Sequence, residues 1–199
     1  MSDAETHKAK MQELQADQKR KTSEAKPAGR GLVLVHTGDG KGKSSSAFGV
    51  IIRALGWGHN VGVVQFIKGK WITGERRFFQ ELGKVDWYTM GDGFTWDTQD
   101  RDRDIAAAEA AFERGREMME RGDYDLIVLD EINIALRYDY LEVENVLAAL
   151  KARSTRTSVV LTGRDAKPEL SEYADLVSEM REVKHPFKNG IKAQRGIDF

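Results

Sequence analysis

Cysteine is absent from this chain of 199 residues. That excludes disulfides, thiolate zinc sites and cysteine nucleophiles, and it agrees with a reducing compartment. An excess of charge is missing too: 31 basic residues stand against 32 acidic ones, for a formal net charge of -1. Such a balance gives no general attraction to nucleic acid. Nor is there a long apolar run. No stretch approaches the roughly 20 residues that a bilayer span requires, and the first residues lack the apolar centre of a secretory signal. The chain reads as soluble and cytoplasmic, with neither a membrane nor nucleic acid as a partner.

What is present is enough for one packed core. Apolar residues make up 40% of the sequence, and the length suits a single domain. Residues 1–29 stand apart. They are rich in Lys, Glu, Gln, Ala and Ser, with Met11 and Leu14 as the only large apolar side chains after Met1. They bury too little surface to offset their ordering entropy. This polar tail is either disordered or loosely helical, or else a helical lid that folds over a ligand or a partner subunit. Pro27 and Gly29 punctuate its end.

The domain then occupies 30–199. Short, β-branched apolar runs at 32–35, 60–67, 126–129 and 158–161 predict strands, with weaker ones at 85–90 and 176–183. Helical spacing is present at 44–55, 75–82, 104–121, 141–151 and 168–173. Strands alternate with helices, which predicts an α/β fold: a mostly parallel sheet with helices on both faces.

The chemistry begins where the first strand ends. Thr37-Gly38-Asp39-Gly40-Lys41-Gly42-Lys43-Ser44-Ser45 runs from that strand into the first helix of the domain. Glycines let a backbone wrap closely around phosphate oxygens. The free amides and the dipole at a helix start favour the same anion. Lys43 supplies a mobile cation, and the Ser44 hydroxyl is the expected Mg²⁺ ligand. One departure is plain: Thr37 stands where the usual phosphate-loop pattern has its first glycine. The run at 126–129 ends in Asp130-Glu131. Acids at the carboxyl edge of such a strand face the phosphate loop, so Asp130 or Glu131 should bind Mg²⁺, directly or through water. Together these features indicate a single P-loop (RecA-like) domain that binds ATP.

Gly91-Asp92-Gly93-Phe94-Thr95-Trp96 is less ordinary. It is either a turn before two core aromatics or a glycine-hinged lid that stacks on a flat ligand. Taken with the phosphate loop, Val63-Val64-Gln65-Phe66-Ile67-Lys68-Gly69, Val128-Leu129-Asp130-Glu131, Leu161-Thr162-Gly163-Arg164 and the closing stretch from Val183-Lys184-His185-Pro186-Phe187 to Gly196-Ile197-Asp198-Phe199, it closely resembles the ATP:corrinoid adenosyltransferases of cobalamin biosynthesis. The resemblance spans residues 30–199.

That resemblance implies transfer of the 5′-deoxyadenosyl group of ATP to Co(I) of a corrinoid, with release of the whole triphosphate. The cobalt chemistry belongs to the corrinoid, so the protein positions and shields. Lys43 and the backbone of 38–44 would hold the triphosphate in a reversed orientation, and the loss of the first glycine at Thr37 would belong to that variation. Ser44 and Glu131 would bind Mg²⁺, with Mn²⁺ as a substitute. Phe94 and Trp96 match the aromatics at the lower face of the corrin. There they would displace its lower axial ligand and exclude water. An electron-donating flavoprotein reductant and a homodimer are also implied. Arg164 is expected at phosphate or ribose, or else merely at the surface. His36 reads as structural. Lys184, His185 and Lys192 receive no role. Arg76-Arg77 and residues 101–104 read as solvated faces, and Tyr138 either contacts nucleotide or caps a helix. Two other functions fit parts of the pattern: a generic P-loop ATPase or kinase, and a non-catalytic corrinoid or nucleotide carrier.

Overall fold

A computed structural model describes residues 3–66, 73–89 and 100–199. Six strands form one sheet: β1 (Val33–Thr37), β2 (Val61–Gln65), β3 (Val85–Thr89), β4 (Leu126–Asp130), β5 (Ser158–Thr162) and β6 (Leu176–Glu179). Their order is β3-β2-β4-β5-β1-β6, and every pairing is parallel. The expected mostly parallel sheet is therefore wholly parallel among the described residues.

Parallel neighbours need crossovers, and these cover both faces. Helices α2 (Lys43–Gly56) and α3 (Gly74–Leu82) lie on one face. On the other are α4 (Arg101–Arg121), α5 (Ile132–Arg137), α6 (Val143–Ala152) and α7 (Pro168–Tyr173). Side chains alternate across a strand. Val61, Val63, Leu126, Val128 and Val160 accordingly point to α2 and α3. Val35, Val64, Ile127, Leu129 and Leu161 point to α4–α7. The central strands β4 and β5, buried on both faces, carry unbroken apolar runs, whereas the edge strand β6 is largely exposed.

Several element bounds differ from the sequence reading, each for a local reason. The first strand runs on through His36 and Thr37, because β6 supplies a second pairing partner there. Asp100 caps α4, its carboxylate accepting the Arg103 amide at 3.2 Å. The helix therefore starts at Arg101 and its first turn is the charged run 101–104, which is largely exposed, as a solvated face should be, and whose acids suit the dipole. Helix α5 was not foreseen: six residues give too little periodicity to read. The last strand stops at Glu179, short of residue 183. Residue 67 of the second expected strand and Met90 of the third lie outside the described residues.

Ahead of the domain, α1 (Asp3–Glu24) is helical with no buried residue. Its ion pairs are local, Asp17 with Arg20 and Lys21.

The amino edge of the sheet is tied by Arg153. Its guanidinium donates to the Thr157 carbonyl at 3.0 Å, to the Gly31 carbonyl at 2.9 Å and to the Leu150 carbonyl. One side chain thereby joins the end of α6, the entry to β5 and the entry to β1. Arg153→Ala should destabilise the fold by about 1–3 kcal/mol, because the Thr157 and Leu150 carbonyls lose this donor, while Gly31 keeps that of Arg30. Urea denaturation of the variant measures this, and a change within experimental error would show that the tie contributes nothing.

Candidate functional site

The carboxyl ends of β1, β2, β4 and β5 converge on one edge, where open α/β sheets hold ligands. The loop after β1 is clamped. Gly40 N–H donates to the Met180 carbonyl at 2.7 Å, and Met180 N–H donates to the Thr37 carbonyl at 2.8 Å. The approach is so close that a Cβ on Gly38, whose φ is +95°, would lie 2.4 Å from the Met180 carbonyl oxygen. Only glycine fits there. Thr37, the residue in place of the first glycine, has a task of its own: its hydroxyl accepts the Ala166 amide at 3.0 Å. It ties the phosphate loop to the turn that follows β5.

Gly42, with φ +108°, turns the chain into α2, and Lys43 opens the helix. The Lys43 ammonium is buried and donates to the Gly40 carbonyl at 2.6 Å. Burial lowers its pKa, with Glu131 opposing. His36 is buried and hydrogen-bonded. The Ser46 hydroxyl donates to the Lys43 carbonyl at 2.8 Å, which leaves a lone pair for His36 Nδ1–H, also at 2.8 Å. Burial holds this imidazole below its usual pKa, so it stays neutral.

The acids at the end of β4 differ in kind. Asp130 is 2% exposed. Its carboxylate accepts the Thr162 hydroxyl at 2.8 Å, the Gln65 amide at 3.1 Å and the Ser44 hydroxyl. Burial still pushes its pKa up. Glu131 sits in the left-handed region at φ 63°, and its amide donates to Thr162 Oγ1 at 2.9 Å. Thr162 is thus a pivot, accepting from Glu131 and donating to Asp130. The Glu131 carboxyl is pushed up to about 7, mainly by burial and then by Asp130, while Lys43 and Arg164 pull it down.

These groups line a cleft of about 780 Å³. Lys41, Lys43, Ser44, Asp130, Glu131 and Arg164 all reach it. Arg164 lies across the loop, 3.9 Å from Asp39. Sequence reasoning missed further members. Arg76, read as solvated, lines the cleft with its Nε buried and unpartnered among the described residues; only Arg77 is a surface residue, paired with Glu81. Arg137 carried no signal, and Asp198 lies in the closing stretch that carries the resemblance but had no role assigned. Gln65 could have been found, since it stands level with Asp130 in the β2–β4 register. Tyr138, left open, is at the cleft. Phe94 and Trp96 lie outside the described residues. Lys184 and Lys192 are exposed away from the cleft, and His185 merely accepts the Phe187 amide at 3.2 Å. A larger groove of about 1000 Å³ runs between α4 and α6, but no phosphate-loop residue borders it.

The donors suit a hard cation. Among the described residues no three His, Asp or Glu side chains gather into a metal cage. Mg²⁺ does not need one, since it is usually held by one or two carboxylates, waters and substrate phosphates. Ser44 and Glu131 offer such oxygens, and Asp130 holds the Ser44 hydroxyl in place.

The chain matches the family model "ATP:corrinoid adenosyltransferase BtuR/CobO/CobP" over residues 29–199. A corrinoid adenosyltransferase of Pseudomonas aeruginosa is 53% identical over 194 residues, 97% of this chain and 95% of that one. The corrinoid adenosyltransferase CobA of Salmonella typhimurium is 48% identical over 170 residues, 85% of this chain and 86% of its own. A corrinoid adenosyltransferase of Escherichia coli K12 is 46% identical over the same length.

The Glu131 carboxyl gives a test of the site's electrostatics. Its folded pKa lies above its ordinary 4.5. The folded protein therefore binds more protons than the unfolded chain between pH 4.5 and about 7, and stability falls as pH rises through that window. Glu131→Gln removes the buried charge. It should stabilise the protein at pH 8 by on the order of 2–3 kcal/mol and much less at pH 5. Denaturation at both pH values measures the difference, and equal effects would contradict the assignment.

Proposed function

This chain belongs to the ATP:corrinoid adenosyltransferase family, and we propose that it transfers the 5′-deoxyadenosyl group of ATP to Co(I) of a corrinoid and releases inorganic triphosphate. The observation that carries the reading is the pairing of a clamped phosphate loop with Glu131 and Arg164 across one cleft, in a chain without cysteine and with its nearby histidine locked in the strand. Such a site holds a triphosphate and offers no thiol or imidazole nucleophile of its own.

In this reaction the Co(I) electron pair forms the bond to C5′, the C5′–O bond breaks, and its electrons leave on the triphosphate. Negative charge grows on the departing oxygen. Lys43, Lys41 and Arg164 stand where they would neutralise it, in a partly buried site that strengthens the effect. Mg²⁺, bound by Ser44 and Glu131, would add Lewis-acid stabilisation of the same leaving group. Asp130 keeps the Ser44 hydroxyl aimed. Phe94 and Trp96 would pack on the lower face of the corrin, exclude water from Co(I) and keep the lower axial ligand away. A reduced flavoprotein would supply the electron, the working unit would be a homodimer in the cytoplasm, and α1 would be the lid over the site. The exposure of α1, none of whose residues is buried, supports that last assignment.

An ATPase reading draws on Glu131, since a carboxyl near pH 7 suits activation of water. The relatives' names favour transfer.

Substituting Phe94 and Trp96 together by Ala should cut corrinoid alkylation roughly 100-fold or more, because shielding and orientation are lost. MgATP affinity should stay within about threefold. Lys43→Ala should instead abolish nucleotide binding. Formation of the light-sensitive alkylated product and calorimetric titration with MgATP separate the two effects. Loss of ATP binding in the aromatic variant would make those residues core and remove their corrinoid role.

A further inference from the structure

The segment 194–199 has no role in the reading above, yet it forms a wall of the cleft. Ile197, Asp198 and Phe199 line it beside the phosphate loop. Asp198 is anchored on its own segment. Its Oδ2 accepts the Gln194 amide at 2.8 Å, and its amide donates to the Gln194 carbonyl at 2.8 Å. Its Oδ1 makes an ion pair with the Lys41 ammonium. The Asp198 side chain is 14% exposed, the Lys41 side chain 53%. Lys41 and the Gln194 amide hold the Asp198 carboxyl below its ordinary pKa, so it is ionised at neutral pH.

Lys41 is a phosphate-loop cation. A carboxylate paired with it occupies the direction from which a phosphate oxygen would approach. We propose that Asp198 is an intramolecular competitor of the triphosphate group for Lys41, a positioning residue that loosens the cleft's hold on nucleotide and on the departing triphosphate. This rests on the reading of the cleft as the triphosphate site.

The chemistry supplies the need. When C5′–O breaks, the triphosphate keeps every charge it brought and gains one on the freed oxygen. The product therefore fits a cationic loop better than the esterified substrate does. Tight, uniform binding of both lowers KM without raising kcat and slows release. ATP has its adenosine for additional contacts; the triphosphate product has only the loop. A carboxylate returning to Lys41 thus acts most strongly on the product. The pair is partly exposed, so its effect is modest, about two- to fivefold in affinity.

Inorganic tripolyphosphate with Mg²⁺ is the probe, titrated calorimetrically into the full chain without corrinoid. Asp198→Asn keeps the shape and an oxygen for the Gln194 amide while removing the charge. It should bind tripolyphosphate about two- to fivefold more tightly at low salt, the gain shrinking at about 0.5 M salt. In turnover it should lower KM for ATP and sharpen inhibition by tripolyphosphate. In a Lys41→Gln background, Asp198→Asn should change nothing. Unchanged or weaker binding by Asp198→Asn would overturn the proposal, because the segment would then support the loop rather than compete with it. An undiminished gain without Lys41 would also overturn it. If the unaltered protein bound no tripolyphosphate, the reading of the cleft would fall first and this proposal with it.

Discussion

The site depends on one buried carboxylate. Asp130 collects a hydroxyl from the first helix of the domain, a hydroxyl from β5 and an amide from β2. A buried acid is tolerated only when it is hydrogen-bonded, and removing any partner leaves the charge exposed to a medium that cannot solvate it. This requirement sets the relative positions of β2, β4, β5 and the phosphate loop. Thr162 extends the network to the Glu131 amide, which holds that residue in its left-handed turn and its carboxyl toward Lys43. The clamp between Gly40 and Met180 fixes the other side of the loop. The cleft is therefore pre-organised by hydrogen bonds made within the protein.

Such pre-organisation suits an enzyme whose difficult step is performed by its substrate. The proposed role of the protein is to hold a triphosphate still while its C5′ meets a reduced metal, and afterwards to let the triphosphate go. Holding and releasing make opposite demands on the same cations. The ion pair between Lys41 and Asp198 lies where those demands meet.

Much of this was legible in the residues. The alternation of β-branched runs with amphipathic stretches announced the parallel sheet, since strands buried on both faces have no polar side to show. Gly38 to Ser44 announced the phosphate loop, and an apolar strand closing on Asp130-Glu131 announced its acidic partner. What escaped notice depended on tertiary geometry. Helix α5 is too short to show a period. Arg76 and Arg77 are adjacent in sequence, and only the packing of α3 turns one into the cleft and the other to solvent. Asp198 stands in a stretch that carried the resemblance, but it reaches Lys41 from far along the chain, and nothing local marks that pairing. Thr37 looked like a defect in the motif because its hydroxyl bond to Ala166 spans two loops.

The measurement that bears most directly on the account is an anaerobic reaction of the protein with MgATP and chemically generated cob(I)alamin, in which corrinoid and phosphate products are both identified. The account predicts adenosylcobalamin and intact inorganic triphosphate in equal amounts, with the triphosphate formed only when the reduced corrinoid is present. Release of ADP and phosphate, with the cobalamin left unalkylated, would contradict it and make the cleft that of an ordinary ATPase.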